Sequence, residues 1–116
     1  MKITKATESK IGGVDFKNLV FGANFSDHML ICDYKDGVWQ EPEIKPFGPL
    51  QFTPAMHTLH YGQAIFEGQK AYYRTDGKIG IFRLEENAKR LNHSARRMFM
   101  PELPENIFTE GIKKLI

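Results

Sequence analysis

Ala71-Tyr72-Tyr73-Arg74-Thr75-Asp76-Gly77-Lys78-Ile79-Gly80-Ile81-Phe82 runs straight into a segment where Leu84, Ala88, Leu91, Ala95 and Met98 step by four, three, four and three. The first part carries apolar residues on both sides of an Asp-Gly pair, the strongest short-range signal for a hairpin. From Glu85 to Phe99 the period changes from two to between three and four, which places those five residues on one stripe of a helix. Glu85 and Glu86 at its start and Arg96 and Arg97 at its end match the polarity of a helix dipole. Pro101 stops it. A hairpin followed by an amphipathic helix predicts an α+β fold, antiparallel strands packed on helices.

Working outward, Pro104 can open a second helix in which Phe108, Ile112 and Leu115 share a face. Upstream, Met29-Leu30-Ile31-Cys32-Asp33-Tyr34 is an apolar run of strand length, and Asp36-Gly37 before Val38-Trp39 predicts another hairpin. Pro42, Pro46, Pro49 and Pro54 then predict extended, loop-like chain with an edge strand around Leu50 to Thr53. Residues 1–13 are mostly polar and end in Gly12-Gly13, an arm frayed or laid over the surface.

The 116 residues suit one domain, 1–116, with no internal boundary or repeat. A net charge of +2 lacks the dense basic excess of a polyanion binder, so nucleic acid is not an expected partner. The single cysteine, Cys32, excludes an internal disulfide, fits a reducing compartment and sits in an apolar run as a buried thiol would. No apolar segment approaches the ~20 residues that span a bilayer, and residues 1–13 lack the features of a signal or transit peptide. A soluble, cytoplasmic protein is expected. The chain stops within an amphipathic helix, so it is expected to be a piece of a longer protein.

The chemistry concentrates in Leu59-His60-Tyr61-Gly62-Gln63-Ala64-Ile65-Phe66-Glu67-Gly68. Rings among small residues, bracketed by glycines, either build core or line an apolar pocket. His60 is better suited to orienting neighbours through a ring hydrogen bond than to acting as a base, and Glu67 to accepting structural hydrogen bonds than to shuttling protons. Arg83, Arg90 and Arg97 recur every seven residues, which describes either a solvated basic face or a face where one guanidinium grips a phosphate.

Several collinear motifs carry a family resemblance. Val20-Phe21-Gly22, Phe25-Ser26-Asp27-His28-Met29-Leu30, Ile44-Lys45-Pro46-Phe47, Leu59-His60-Tyr61, Phe66-Glu67-Gly68-Gln69-Lys70-Ala71, Arg90-Leu91 and Ser94-Ala95-Arg96-Arg97 together resemble the N-terminal domain of branched-chain amino-acid aminotransferases. These are fold type IV enzymes that use pyridoxal phosphate. The resemblance implies that Arg90 binds the cofactor phosphate. It implies that Phe21 and Phe66 wall the pocket for an aliphatic side chain, and that Tyr61 reaches into the active site of the partner subunit of a homodimer. The parent enzyme would move the amino group of leucine, isoleucine or valine to 2-oxoglutarate. No residue here is assigned to covalent catalysis or to a metal: the Schiff-base lysine belongs to a later, larger domain, and Lys70 follows Phe-Glu-Gly at a variable position. The fragment alone is therefore expected to be inactive. Rival readings are another fold type IV enzyme, such as a D-amino-acid aminotransferase or aminodeoxychorismate lyase, and a stand-alone module that binds nucleic acid or another anion through the arginine face.

Overall fold

The structure, a computed structural model describing residues 1–116, divides into two compact units. One is residues 1–50 with Leu115; the other is residues 51–114 with Ile116. Helices and mainly antiparallel strands coexist, so the class is α+β as the change of period predicts. No helix is long and apolar enough to cross a membrane.

In the first unit, strands β1 (Lys2–Ile3), β2 (His28–Ile31) and, later in the chain, a four-residue strand at Glu43–Pro46 form a sheet with that last strand in the centre. Between them β3 (Tyr34–Lys35) and β4 (Val38–Trp39) make the first hairpin, so the central strand is β5. Asp36 and Gly37 both take positive φ, 52° and 80°, as a two-residue turn of this hand demands. The Tyr34 and Trp39 rings pack edge to face across it, with centroids 5.1 Å apart.

Two expectations are corrected here. The strand falls on Glu43–Pro46 and not near Leu50 to Thr53, and it is central rather than at an edge. Proline is tolerated because the Phe47 N–H donates to Asp27 O on the β2 side, 2.9 Å away. Strand alternation then puts the donor missing from Pro46 on the opposite side, beyond the end of β1. Of the two alternatives for the N-terminal arm, laid over the surface holds and frayed does not. Its β1 pairs in parallel with β5, and Asp27 accepts from Ser9 Oγ at 2.6 Å and the Lys10 N–H at 2.9 Å. Ile44, nearly inaccessible, is the centre of this unit.

The second unit begins with α1 (His57–Tyr61), a short helix ended by Gly62 in the left-handed region at φ 61°. An irregular segment leads to β6 (Ala71–Tyr73), which pairs antiparallel with β7 (Ile79–Ile81). This second hairpin differs from the first. Its loop is one residue longer, only Gly77 has positive φ, and Asp76 caps the turn by accepting from the Lys78 N–H. Helix α2 (Leu84–Arg97) follows, then α3 (Glu105–Leu115).

The predicted stripe on α2 holds through Leu84, Ala88 and Ala95, all buried, with Leu91 half-buried. Met98 falls beyond the last turn and is exposed, and Asn92 is buried instead. Asn92 is tolerated there because its carboxamide pairs with the backbone of Leu103 in both directions. Nδ2 donates to the Leu103 O at 2.8 Å, and Oδ1 accepts from the Leu103 N–H at 2.9 Å. The pair fixes the connection between α2 and α3. The end of α2 is a Schellman turn: the Met100 N–H reaches Ala95 O, the Phe99 N–H reaches Arg96 O, and Phe99 stands in the left-handed region at φ 53°.

Two stability predictions follow from these contacts. Asn92→Ala orphans both backbone groups of Leu103 and should cost about 1–3 kcal/mol in urea unfolding; an unchanged midpoint would contradict the role given to Asn92. Phe99→Gly removes a left-handed β-carbon from an exposed position and should raise stability by roughly 0.5–1 kcal/mol. A loss of stability would show that the Phe99 ring contributes packing that outweighs the backbone strain.

Candidate functional site

Residues 62–70 have no regular structure of their own and are held to α2 by side chains. Gln63 Nε2 donates to Met98 O at 2.8 Å, and Asn87 Nδ2 donates to Gly68 O at 3.2 Å. Between them lies the strongest tie. Arg90 Nε donates to Glu67 Oε2 at 2.7 Å and Nη2 donates to Oε1 at 2.5 Å, a two-pronged pair. The Glu67 side chain is only 8% accessible, while Arg90 keeps 67% of its surface. Arg90 and the Gly68 N–H, which also donates to Oε1 at 2.9 Å, hold the Glu67 carboxyl down to about 2 against burial that pushes it up.

This arrangement forms one wall of an open cleft of 840 Å³, bounded by residues 68–70, Tyr72, Phe82, Arg83 at the N-cap of α2, and the helix face that carries Glu86, Asn87, Arg90 and His93. Such a volume suits a small molecule. The cleft is cationic. Of its basic groups, Arg83 and Lys89 lean on Glu86, and Arg96 is paired with Glu102 at 2.5 Å. Lys70 and His93 have no ion-pair partner, and Arg90 has used only one edge of its fork. A guanidinium carries five donors, so Nη1 and the second hydrogen of Nη2 form a complete edge free for another pair of oxygens. Gln69 adds an enclosed acceptor, since its Oε1 is buried without a hydrogen-bond partner.

Of the residues singled out in the sequence, Arg90 lines this cleft. Tyr61 and Phe66 do not, although they belong to the same unit; their rings are 80% and 91% exposed. Tyr61 packs edge to face on His57, at 5.6 Å. Phe21 lies in the other unit, in a turn, with its side chain fully exposed. The seven-residue arginine series is not one helical face. Arg83 precedes α2 as its N-cap, in the left-handed region at φ 52°, and it is Arg96 rather than Arg97 that reaches the cleft. His60 does make a ring hydrogen bond, Nε2–H to Pro54 O at 2.5 Å, which fixes its tautomer. Lys70, Gln69 and His93 were not legible as site residues, because nothing in their spacing marks them. Gln69 and Lys70 fall within the Phe66-Glu67-Gly68-Gln69-Lys70-Ala71 motif, and that membership is the one available signal.

No family model matches the chain. Curated relatives do. It is 45% identical over 103 residues to branched-chain-amino-acid transaminase 1 of Bacillus subtilis (strain 168), a match covering 88% of this chain and 29% of that enzyme. It is 50% identical over 97 residues to the branched-chain-amino-acid aminotransferase of Mycolicibacterium smegmatis, covering 83% and 26%. It is 48% identical over 99 residues to a probable branched-chain-amino-acid aminotransferase of Staphylococcus aureus (strain N315), covering 84% and 27%. The chain thus spans under a third of the length of these relatives.

Glu67 has a folded pKa of about 2 against an ordinary value of 4.5, so its contribution to stability is complete above pH 4.5 and is lost as pH falls toward 2. Denaturant midpoints of the wild-type chain should drop across that window by a component absent from Glu67→Gln. Parallel pH profiles for the two proteins would contradict the pairing.

Proposed function

We propose that this chain, a relative by sequence of the branched-chain-amino-acid aminotransferases, is the small N-terminal domain of such an enzyme and supplies its phosphate grip. The activity is transfer of the amino group of leucine, isoleucine or valine to 2-oxoglutarate, on pyridoxal phosphate, within a fold type IV homodimer in the cytoplasm. The observation that carries this reading is the unpaired edge of Arg90 on a cationic cleft, in a chain 45% to 50% identical to these enzymes over most of its length.

The donor set fits the coenzyme. Arg90 offers two N–H groups to phosphate oxygens and stays charged at any physiological pH, and Lys70 adds a second cation nearby. When bound, the coenzyme supplies the electron sink for bond breaking at the amino-acid α-carbon. The lysine that would bond to it and move the proton belongs to polypeptide beyond this chain, so the 116 residues bind and orient but do not react.

Phe21 and Phe66 are the proposed walls for the aliphatic substrate side chain, and Tyr61 the proposed tyrosine that reaches into the active site of the partner subunit. Their near-complete exposure supports a role completed by other polypeptide, since large bare rings mark surfaces that another molecule covers. Apolar walls suit leucine, isoleucine and valine, each buried methylene contributing about 0.8 kcal/mol.

In the full-length enzyme, Arg90→Ala should lower retained pyridoxal phosphate by at least about tenfold after dialysis, the scale of one lost charge-assisted pair. Arg83→Ala, whose arginine already leans on Glu86, should retain nearly all of it. Equal occupancy in the two purified variants would refute the assignment.

A further inference from the structure

The Glu67–Arg90 pair poses a question of sign. A carboxylate clamped on an anion-binding guanidinium removes attraction, yet it also fixes where the remaining donors point. We infer that Glu67 is a positioning residue for Arg90, occupying one edge of the guanidinium so that the other is held ready for two oxygens of a phosphate. The inference rests on the reading of Arg90 as the phosphate grip.

Three features carry it. Nε and Nη2 each find a different carboxylate oxygen, at 2.7 and 2.5 Å, which fixes rotation of the guanidinium plane. Glu67 is itself held, because the Gly68 N–H donates to Oε1 and the Asn87 carboxamide holds the Gly68 carbonyl. A loose carboxylate would orient nothing, whereas this one is anchored through backbone to the helix that carries Arg90. Finally, Nη1 has no partner, and the arginine side chain is largely exposed, so no other contact limits its rotamers. Without Glu67 the charge remains but its direction is lost. With Glu67 the net charge falls, and the two outward hydrogens stay in one plane at a bidentate spacing.

The two effects predict opposite outcomes, which makes the test decisive. Inorganic phosphate is titrated by NMR into the 116-residue chain as wild type, Arg90→Ala, Arg90→Lys, Glu67→Gln, and Glu67→Gln combined with Arg90→Lys. If orientation wins, Glu67→Gln weakens phosphate about fivefold or more, and the same change in the Arg90→Lys background has no effect, because an ammonium has no plane to orient. Unchanged or tighter binding by Glu67→Gln overturns the inference, as does equal weakening in both backgrounds. Binding that survives Arg90→Ala overturns the phosphate-grip reading instead, and the positioning role with it. Should Glu67→Gln fail to fold by circular dichroism, Glu67→Asp substitutes for it: it keeps the charge but is too short to meet both nitrogens, so it too should weaken phosphate. Wild-type affinity in Glu67→Asp would then count against positioning.

Discussion

The tie between Glu67 and Arg90 is what gives the second unit a site as well as a fold. Residues 62–70 form no ladder and no helix, so their backbone needs partners from elsewhere. Glu67 brings one end of that segment to α2, and Gln63 and Asn87 bring the rest. An ordinary surface ion pair contributes only about 0–1 kcal/mol, because water competes and two long side chains must be ordered. This pair escapes part of that cost. The carboxylate is already fixed by the adjacent peptide, and the fork makes two bonds for the ordering of one arginine.

Packing reinforces the same geometry from the other side of α2. Leu84, Ala88 and Ala95 are buried, and two of the three are alanines. Burying Asn92 in that stripe would be costly if its amide were idle, but both its groups are spent on Leu103. The helix is thereby fixed in rotation, with its buried stripe on one side and Arg90, His93 and Glu86 on another. The buried stripe thus limits how far α2 can roll and fixes the direction in which Arg90 projects.

Local rules account for what could be read from the chain directly. Both Asp-Gly hairpins, the extent of α2, its terminal charges and the start of α3 near Pro104 each depend on residues within a few positions of one another. What could not be read depends on distance. β1 pairs with a strand some forty residues later, at Lys2 and Glu43, and no local pattern announces it. Asn92 reads as a polar residue and lies buried because of Leu103, across the α2–α3 turn. Arg90 stood out through family motifs and Glu67 as a structural hydrogen-bond acceptor, which it is, but that the two pair was not legible, since 23 residues and an irregular backbone separate them. Even the arginine spacing misled at one end: a left-handed Arg83 sits outside the helix whose period it matched.

The placement of the aromatic residues follows from the same physics. Tyr61 ends a five-residue helix, where its ring meets His57 edge to face, and Phe66 lies on irregular chain, so neither ring is enclosed within its own unit. A ring buries 150–250 Å² when enclosed, and a short segment cannot enclose it. Arg90 faces the reverse condition. Its charge requires no enclosure, only a fixed plane, and one carboxylate on the neighbouring segment can provide that. A polar grip can therefore be completed by a small piece of chain while an apolar pocket cannot. For this reason the paired, oriented guanidinium of Arg90 is already in place in these 116 residues, whereas the rings of Phe21, Tyr61 and Phe66 stay exposed.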